Sequence, residues 1–291
     1  MTRGFYLVFE GPNRSGKTTQ SNKLTEFMKE KYTNKEILVT REPGAGPGQS
    51  EIANDIRDIV QGQVAQSFSE PMNPYAEACL YAASRAQTLR MVIAPALERG
   101  AIVVADRSFI SSLAFQGAGR ELGIESVLEL NRNAIYDVHM CGRPYKKAPE
   151  ERGEIADSIR NKFFLSQRPE RLHPVTAMYL HAACQIQKTG ELPSDLPRDP
   201  SPARSFLPDC VLYLDLPAEE MLRRALARGD DKFDGMLVEF HAKVREGYLE
   251  VASGKCFSNW VTVSGLTNLP VEESILAVHK RIKEGLGPYL P

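Results

Sequence analysis

The stretch GPNRSGKTTQ, residues 11–20, directly follows the apolar run FYLVFE of residues 5–10. Its glycines at 11 and 16, with Lys17 and Thr18, complete the pattern G-x-x-x-x-G-K-T. In this pattern backbone amides cradle phosphate, the lysine approaches the terminal phosphates and the threonine hydroxyl can ligate Mg²⁺. Helical spacing at residues 17–31 adds a helix N-terminus to the same anion site. The stretch predicts a site for a nucleoside triphosphate and Mg²⁺, formed by Gly11, Pro12, Asn13, Arg14, Ser15, Gly16, Lys17, Thr18 and Thr19.

Short β-rich runs alternate with helical patterns along much of the chain. Further strands are predicted at four apolar runs, namely residues 37–40, 101–105, 210–216 and 260–263. Helices are predicted at residues 76–98, with a kink or break at Pro95, and at 218–228, 240–251 and 272–283. Apolar strands separated by helices are typical of a parallel sheet covered on both faces. We therefore predict an α/β protein with the three-layer P-loop NTPase fold and a central five-stranded parallel sheet.

Composition and charge narrow the function classes. The 291 residues carry 36 Lys and Arg against 37 Asp and Glu, so the overall charge does not favour nucleic acid or a membrane surface as a partner. No apolar run approaches the ~20 residues that span a bilayer, and the N-terminus does not resemble a signal peptide. The five scattered cysteines are typical of reduced thiols. We expect a cytoplasmic protein with no nucleic-acid and no membrane partner.

Charged residues follow the second and third predicted strands. REPG, residues 41–44, comes after the second strand, and ADRS, residues 105–108, comes after the third. YAASR, residues 81–85, lies on the intervening helix. Ligands of parallel α/β sheets bind beyond the carboxyl ends of the strands, so these three motifs are expected to line a site.

Three arginines in these motifs indicate a second anionic substrate. Arg41, Arg85 and Arg107 could converge on a phosphate monoester, which suits the planar arginine fork. Tyr81 and Arg85 share one helix face, so the ring could stack on a base while the arginine donates to its edge. Alternatively, Tyr81 is a half-buried core aromatic and each arginine forms a surface salt bridge.

Several longer stretches resemble the thymidylate kinase family and occur in the family's order. They are FEGPNRSGKTTQ, TREPG, YAASRAQTLRMVIAPALERGAIVVADRS, SSLAFQGAGR, PDCVLYLDLPAEEMLRRALARG and FHAKVREGYLEVA. The resemblance covers residues 5 to about 135 and 208 to about 252. It implies phosphoryl transfer from ATP to dTMP, giving dTDP, with Mg²⁺ and often in a homodimer.

The resemblance also implies roles for individual residues. Lys17 and the loop amides hold the ATP phosphates, and Asp106 organises Mg²⁺, to which Thr18 is a further candidate ligand. Arg107 contacts the dTMP phosphate. The acceptor-binding residues as a set are Arg41, Glu42, Tyr81, Arg85, Arg107, Ser112 and Gln116. Among them, Tyr81 is expected to stack on thymine and Arg85 to read the edge of the base.

Phosphoryl transfer between two phosphates needs alignment and charge neutralisation more than a general base. We therefore expect catalysis to rest on Lys17, Arg14, Asp106 and Arg107 together with Mg²⁺. Some family members carry an arginine in the phosphate loop and others carry it in the lid. Arg14 places this chain with the first kind, and we predict that it acts as an arginine finger supplied within the chain.

Residues 227–235, ARGDDKFDG, stand where the family has a mobile lid. Arg228 and Lys232 are the residues expected to close over ATP, which would exclude water from the reaction. A charged loop of this kind is also compatible with a simple solvated turn.

Four residues near the acceptor depart from the family pattern. Asn13 stands where aspartate is usual, and Ser84 stands where aspartate or asparagine is usual. Ser108 and Phe115 stand where tyrosine is common. A 5-modified or other deoxynucleoside monophosphate is therefore an alternative acceptor.

Two other activities stay open as well. A deoxynucleoside kinase would need a base at the acceptor hydroxyl, for which Asp106 or Glu42 could serve. A non-catalytic nucleotide-binding module would use the same loop without turnover. The joint presence of Lys17, Thr18, Asp106 and Arg107 argues against that module.

Residues 136–207 interrupt the alternation of strands and helices and hold 8 of the 19 prolines. We interpret them as a partly helical insertion within a single P-loop kinase domain of residues 1–291. The insertion contains two close cysteine–histidine pairs that could form a tetrahedral zinc site. These residues are His139, Cys141, His181 and Cys184. Two buried thiols and two surface histidines are the alternative.

Overall fold

Five short apolar strands pair in parallel to form one sheet. The structure is a computed structural model and describes residues 3–62, 64, 67–135, 206–226, 233, 236–254, 257, 259–266 and 269–291. The strands are β1 (Phe5–Glu10), β2 (Ile37–Arg41), β3 (Ile102–Asp106), β4 (Cys210–Asp215) and β5 (Trp260–Ser264). Their order across the sheet is β2-β3-β1-β4-β5. The predicted central sheet of five parallel strands is confirmed.

β1 lies at the centre of the sheet and is buried on both faces. It pairs with β3 on one side and with β4 on the other. Tyr6 and Val8 point into one hydrophobic core, whereas Leu7 and Phe9 point into the other. A strand covered on both faces is a nearly continuous apolar run, which is why FYLVFE identifies it in the sequence.

Helices cover both faces of the sheet. In the described ranges they are α1 (Lys17–Lys31), α2 (Glu51–Gln61), α3 (Pro74–Thr88), α4 (Ala94–Glu98), α5 (Phe109–Ser112), α6 (Ile124–Ile135), α7 (Ala218–Leu226), α8 (Val238–Ser253) and α9 (Val271–Leu286). One core joins the sheet to α1 and α9, through side chains such as Leu24 and Ile282. The other core joins it to α5, α6 and α8, through side chains such as Ile110 and Val244. The sheet is therefore the middle of three layers.

Two helices continue into wider π-helical turns. α3 passes through Leu89–Ile93 into α4, so the predicted break lies immediately before the turn that holds Pro95. Proline cannot donate a backbone hydrogen bond to the preceding turn, which favours a wider turn at this point. α5 continues through Leu113–Gly119, a type of turn that occurs frequently at functional sites.

The carboxyl ends of β1, β2 and β3 meet at one edge of the sheet. Phe9 and Arg41 both lie beside Asp106 in the parallel register. The amide of Glu42 donates to the carbonyl of Asp106 over 2.9 Å, and the amide of Arg107 donates to the carbonyl of Phe9 over 2.9 Å. These bonds hold the REPG and ADRS motifs beside the phosphate loop.

Several predictions lie outside the described residues. Apart from Phe206, Leu207 and Phe233, neither the insertion at 136–207 nor the lid at 227–235 is described. Arg228, Lys232 and the four candidate zinc ligands belong to these segments. The single-domain organisation also stays a prediction. Among the helices that the structure describes, none has the length and apolar character of a membrane span.

Candidate functional site

A cavity of about 410 Å³ opens at the carboxyl edge of β1, β2 and β3. This volume lies within the usual range for small-molecule sites. Six basic side chains and two carboxylates line it, namely Arg14, Lys17, Arg41, Arg57, Arg85 and Arg107 against Glu42 and Asp106. The excess of positive charge favours an anionic ligand.

The phosphate loop adopts left-handed backbone conformations that its glycines make possible. Gly11 has φ 143° and Gly16 has φ 93°. A Cβ atom added at Gly11 would lie 2.5 Å from the carbonyl oxygen of Leu214, so the loop passes too close to β4 for any side chain at this position. Arg14 has φ 62°, an uncommon value for a residue with a side chain.

Lys17 is buried beneath this loop. Its Nζ donates to the carbonyl oxygens of Gly11 at 3.0 Å and Pro12 at 2.8 Å. Since Lys17 also lines the cavity, its ammonium lies where an anion on the loop amides would meet it. The lysine, the loop and the start of α1 thus lie together, and their action as one anion cradle stays a prediction.

Thr18 and Asp106 form a pair of oxygen ligands suited to a small hard cation. The Thr18 hydroxyl donates to Asp106 Oδ2 over 2.8 Å. The second carboxylate oxygen, Oδ1, is buried and accepts no hydrogen bond within the described residues. Hydroxyl and carboxylate oxygens are the ligands that Mg²⁺ prefers, so the donor set fits the predicted metal.

Three arginines that line the cavity lie near one another, and one of them is not among the three expected. Arg41 and Arg107 lie at the strand ends as predicted, and both line the cavity. The third is Arg57 of α2, whose Nη1 donates to the carbonyl oxygen of Pro43 over 2.9 Å. Burial, and then the nearby Arg41 cation, lower the pKa of Arg57. Cations this close together favour a multiply charged anion such as phosphate between them.

Arg85 also lines the cavity, but a buried hydrogen-bond network holds its guanidinium. It is 2% exposed, and its Nε donates to Glu42 Oε2 over 2.6 Å. Its other nitrogens donate to Asn131, to the carbonyl oxygen of Ser108 and to Ser112 Oγ. Burial raises the pKa of Glu42, although the ion pair with Arg85 acts in the opposite direction. Glu42 therefore compensates the charge of Arg85, and four hydrogen bonds fix the guanidinium where it lines the cavity beside Tyr81.

Tyr81 is buried and lines the same end of the cavity as Arg85. Its hydroxyl accepts a 2.6 Å hydrogen bond from Gln61 Nε2 of α2, which fixes the ring. The shared helix face predicted for Tyr81 and Arg85 is present. A flat ring beside fixed donors is suited to a nucleobase.

Gln116 lies in the π-helical turn Leu113–Gly119, and its side-chain amide group has one orientation. Its Nε2 donates to Glu77 Oε1 over 2.9 Å, and Arg120 Nη2 donates to Glu77 Oε2 over 3.1 Å. A carboxylate only accepts hydrogen bonds, so the amide nitrogen of Gln116 must face Glu77. The amide oxygen is then available to a ligand in the cavity that Gln116 lines.

Phe115 and Phe233 form the aromatic wall of the cavity. Their ring centroids lie 5.1 Å apart, and the guanidinium of Arg107 lies 4.9 Å from the centre of the Phe115 ring. Phe233 stands at a position of the predicted lid, and its side chain lines the cavity together with Phe115. No local pattern in the sequence predicts this contact, because Phe233 stands among charged residues at 231–234.

Sequence reasoning also missed α2, which supplies Arg57 and Gln61. The signal was present: Ser50 caps the helix by accepting from the amide of Ala53 over 3.3 Å. Ile52, Ile56 and Val60 follow at helical spacing. The Pro- and Gly-rich stretch before Ser50 obscured this helix start.

The family model for thymidylate kinase matches residues 9–146 of the chain. A thymidylate kinase of Caldanaerobacter subterraneus subsp. tengcongensis is 28% identical over 289 residues, which cover 99% of this chain and 97% of the relative. The chain is therefore similar to thymidylate kinases.

Other thymidylate kinases match the chain over a shorter stretch. The enzyme of Lactobacillus delbrueckii subsp. bulgaricus is 46% identical over 129 residues, which are 44% of this chain and 57% of that protein. The chain therefore spans less than two thirds of the length of the relatives with which it shares the highest identity among these. A crystal structure of thymidylate kinase from Ehrlichia chaffeensis has a TM-score of 0.55, is 18% identical and covers 98% of this chain and 99% of its own. That structure supports the P-loop α/β fold.

The four residues that depart from the thymidylate kinase pattern all have partners within this chain. Asn13 accepts from Arg107 Nη2, and Ser108 donates to Glu10 Oε1 over 2.6 Å. Ser84 accepts from the amide of Gly44 over 2.8 Å and so ties α3 to the REPG loop. Phe115 packs against Phe233 as described above. Asn13, Ser108 and Phe115 line the cavity, whereas Ser84 is buried and acts on the REPG loop.

Proposed function

We propose that the protein transfers a phosphoryl group from ATP to dTMP, giving dTDP and ADP, as a nucleoside monophosphate kinase. One observation carries the proposal: a single cavity joins the anion cradle of Lys17 to a second cationic group formed by Arg41, Arg57 and Arg107. Two separate anion sites in one cavity suit a donor and an acceptor phosphate. Similarity to thymidylate kinases supports the same activity.

The donor end would hold ATP through the loop amides, Lys17 and Arg14. Thr18 and Asp106 would hold Mg²⁺, which neutralises charge on the β- and γ-phosphates when it is bound. The buried Asp106 Oδ1, which accepts no hydrogen bond in the described part of the chain, supports this assignment. We propose that Arg228 and Lys232 add to this end from the lid.

The acceptor end would hold the monophosphate between Arg41, Arg57 and Arg107. The nucleobase would lie against Tyr81 and Phe115, with Arg85, Ser112 and Gln116 at its edge. Glu42 keeps Arg85 in place through its ion pair.

In the transfer step, an oxygen of the acceptor phosphate forms a bond to the γ-phosphorus of ATP. The bond from that phosphorus to the bridging oxygen breaks, and ADP leaves with the electron pair. The acceptor phosphate is already anionic, so the step needs no general base. Lys17, Arg14 and Arg107 would stabilise the charge on the equatorial oxygens of the phosphoryl group.

The alternative acceptors follow from the residues around the sugar and base. Asn13, Ser84, Ser108 and Phe115 keep a 5-modified or other deoxynucleoside monophosphate as the second candidate. A deoxynucleoside acceptor has less support, because three arginines at the acceptor end suit a phosphate group.

A panel of acceptors tests the proposal. ADP release and the phosphorylated product are measured with ATP and Mg²⁺ and with dTMP, dUMP, dCMP, 5-substituted analogues, thymidine or no acceptor. We expect ADP release to require a nucleoside monophosphate. Among the monophosphates, we expect dTMP to have the highest kcat/KM. Preference for another monophosphate would establish the second candidate, preference for thymidine would establish a nucleoside kinase, and no turnover would indicate a binding module.

We propose further that the protein is a cytoplasmic homodimer and that residues 1–291 form one kinase domain with the insertion at 136–207. The family resemblance supports the dimer, and Ile52 and Tyr75, which are 58% and 54% exposed, supply apolar surface near α2 and α3. Light scattering at several protein concentrations measures the molar mass of the protein in solution. A mass of 32.4 kDa at every concentration would contradict the dimer.

A further inference from the structure

Glu10 ends the central strand and is fully buried directly before the phosphate loop. Three hydroxyl groups donate to its carboxylate. Ser108 Oγ donates to Oε1 over 2.6 Å, and Ser111 Oγ and Tyr248 Oη donate to Oε2 over 2.6 and 3.1 Å. Both carboxylate oxygens are therefore satisfied as acceptors.

Two of these hydroxyls also contact Arg107 from the other side. Arg107 Nη1 donates to Ser111 Oγ over 3.0 Å and to Tyr248 Oη over 3.2 Å. A hydroxyl has one hydrogen and two lone pairs. Ser111 donates its hydrogen to Glu10, and Tyr248 donates either to Glu10 or to Ser111 Oγ, which lies 2.8 Å from Tyr248 Oη. In both arrangements each hydroxyl keeps a lone pair that accepts from Arg107.

The guanidinium of Arg107 is thus held away from the carboxylate by one layer of hydroxyls. Nη1 also donates to the carbonyl oxygen of Gly11 over 3.0 Å, Nη2 donates to Asn13, and Phe115 lies beneath the guanidinium plane. Burial raises the pKa of Glu10, whereas the hydroxyl donors and the Arg107 charge favour its ionised form. Hydroxyl groups therefore lie between the carboxylate and the guanidinium and hydrogen-bond to both. This arrangement fixes the orientation of the guanidinium without a direct ion pair to Glu10.

We propose that Glu10, acting through Ser111 and Tyr248, is a positioning residue that sets the orientation of Arg107 toward the acceptor phosphate. The inference rests on the proposed function, because it needs Arg107 to bind that phosphate. Glu10 belongs to β1, whereas Tyr248 belongs to α8 and comes 238 residues later in the chain. The arrangement explains a buried carboxylate that the transfer step itself does not use.

The test is a double-mutant cycle on Glu10→Gln and Arg107→Ala, with kcat/KM measured for the monophosphate that the wild-type protein prefers. Glutamine keeps the size of the side chain, but its amide nitrogen donates and so competes with the hydroxyl hydrogens. We expect Glu10→Gln to lower kcat/KM for the acceptor about 10–100-fold, mainly through KM. The KM for ATP should change less than threefold. In the Arg107→Ala background the same change should have less than a threefold effect, because no oriented arginine is left to lose.

Tyr248→Phe provides a milder variant if Glu10→Gln fails to fold. It removes one hydroxyl of the relay and should raise the acceptor KM about threefold to tenfold, again with no further effect in Arg107→Ala. Tyr213→Phe is the matched control. The ring centroid of Tyr213 lies 5.0 Å from that of Tyr248, but the Tyr213 hydroxyl donates to Asp215. Thermal melting of each variant measures how far the substitution changes the stability of the folded protein.

Equal effects of Glu10→Gln, or of Tyr248→Phe, in the wild-type and Arg107→Ala backgrounds would overturn this inference and leave the proposed function intact. A wild-type protein that phosphorylates no monophosphate would overturn the proposed function and, with it, the need to orient Arg107.

Discussion

Arg224 Nη1 donates a 3.1 Å hydrogen bond to the backbone carbonyl oxygen of Arg14. Nη2 of the same guanidinium donates to the carbonyl oxygen of Gly265 over 3.3 Å, and Nε donates to Glu220 Oε1 over 2.7 Å. Hydrogen bonding to Arg223, and to a lesser extent Arg224, lowers the pKa of Glu220 to about 2, so this anchor is ionised at neutral pH. Helix α7 therefore holds the phosphate loop at the residue with left-handed backbone geometry.

Arg224→Ala should lower kcat by about tenfold, because the backbone of Arg14 loses a charge-assisted hydrogen bond worth roughly 1.5–3 kcal/mol. Steady-state kinetics with ATP varied would show the change. Arg223→Ala is the control, since Arg223 pairs with the same Glu220 but is 72% exposed, and none of its hydrogen bonds within the described residues reaches the loop. Equal effects of the two substitutions would remove the role of Arg224 in holding the loop.

Arg14→Ala should lower kcat by about 10²-fold or more while the KM for ATP changes little. The expected cause is the loss of a cation that acts on the phosphoryl group in transit, an effect of the size seen when one transition-state donor is removed. Initial rates at saturating acceptor separate kcat from KM. If only the KM for ATP rose, Arg14 would be a binding residue and not an arginine finger.

Thr18→Val should raise the Mg²⁺ concentration needed for half-maximal activity by about 10–100-fold. Valine keeps the shape of threonine but lacks the hydroxyl that lies 2.8 Å from Asp106 Oδ2. Activity is measured at fixed ATP over a range of Mg²⁺. Thr25→Val is the control on the same helix, because the Thr25 hydroxyl donates to the carbonyl oxygen of Ser21 over 2.7 Å. An unchanged Mg²⁺ dependence in Thr18→Val would rule out a metal contact.

Arg57→Ala should lower kcat/KM for the acceptor by about 10–100-fold, through loss of a charged hydrogen bond to the acceptor phosphate. The KM for ATP should stay close to the wild-type value, because Arg57 comes from α2 on the acceptor side. Arg99→Ala, which removes a surface arginine paired with Glu36, is the control. A larger effect on ATP than on the acceptor would show that Arg57 serves the donor.

Glu77→Gln should reduce the preference for dTMP over dCMP by about tenfold or more. The Glu77 carboxylate turns the amide oxygen of Gln116 toward the cavity, where it suits the N3–H donor of thymine and opposes the N3 acceptor of cytosine. Glutamine at position 77 would allow Gln116 to turn over. The ratio of the two kcat/KM values is the measurement, and Glu129→Gln, which breaks the surface pair with Arg132, is the control. A ratio equal to that of the wild type would mean that another group selects the base.

The strands and the phosphate loop could be predicted from the sequence because their signals are local. Residues 5–10 form an apolar run, and the glycines at 11 and 16 stand at fixed spacing within one loop. The convergence of Arg41, Asp106 and Arg107 could also be predicted, because parallel strands place their carboxyl ends at one edge.

The third arginine could not be chosen in the same way. Arg57 and Arg85 both lie on helices beside the cavity, and their roles depend on which of them meets a carboxylate. Arg85 meets Glu42 within a buried hydrogen-bond network, so its charge is already compensated. This choice follows from the packing of α2 against α3 and leaves no local pattern in the sequence.

The sequence by itself determined the class of fold, the phosphate loop and the resemblance to thymidylate kinases, since each depends on short motifs whose geometry is set within a few residues. Tertiary structure alone decided the relay from Glu10 through Ser111 and Tyr248 to Arg107, the orientation of Gln116 and the contact of Arg224 with Arg14. These partners lie as far as 238 residues apart in the chain. The physical reason is that a hydrogen bond depends on distance and direction in space, which only the packed helices and sheet define.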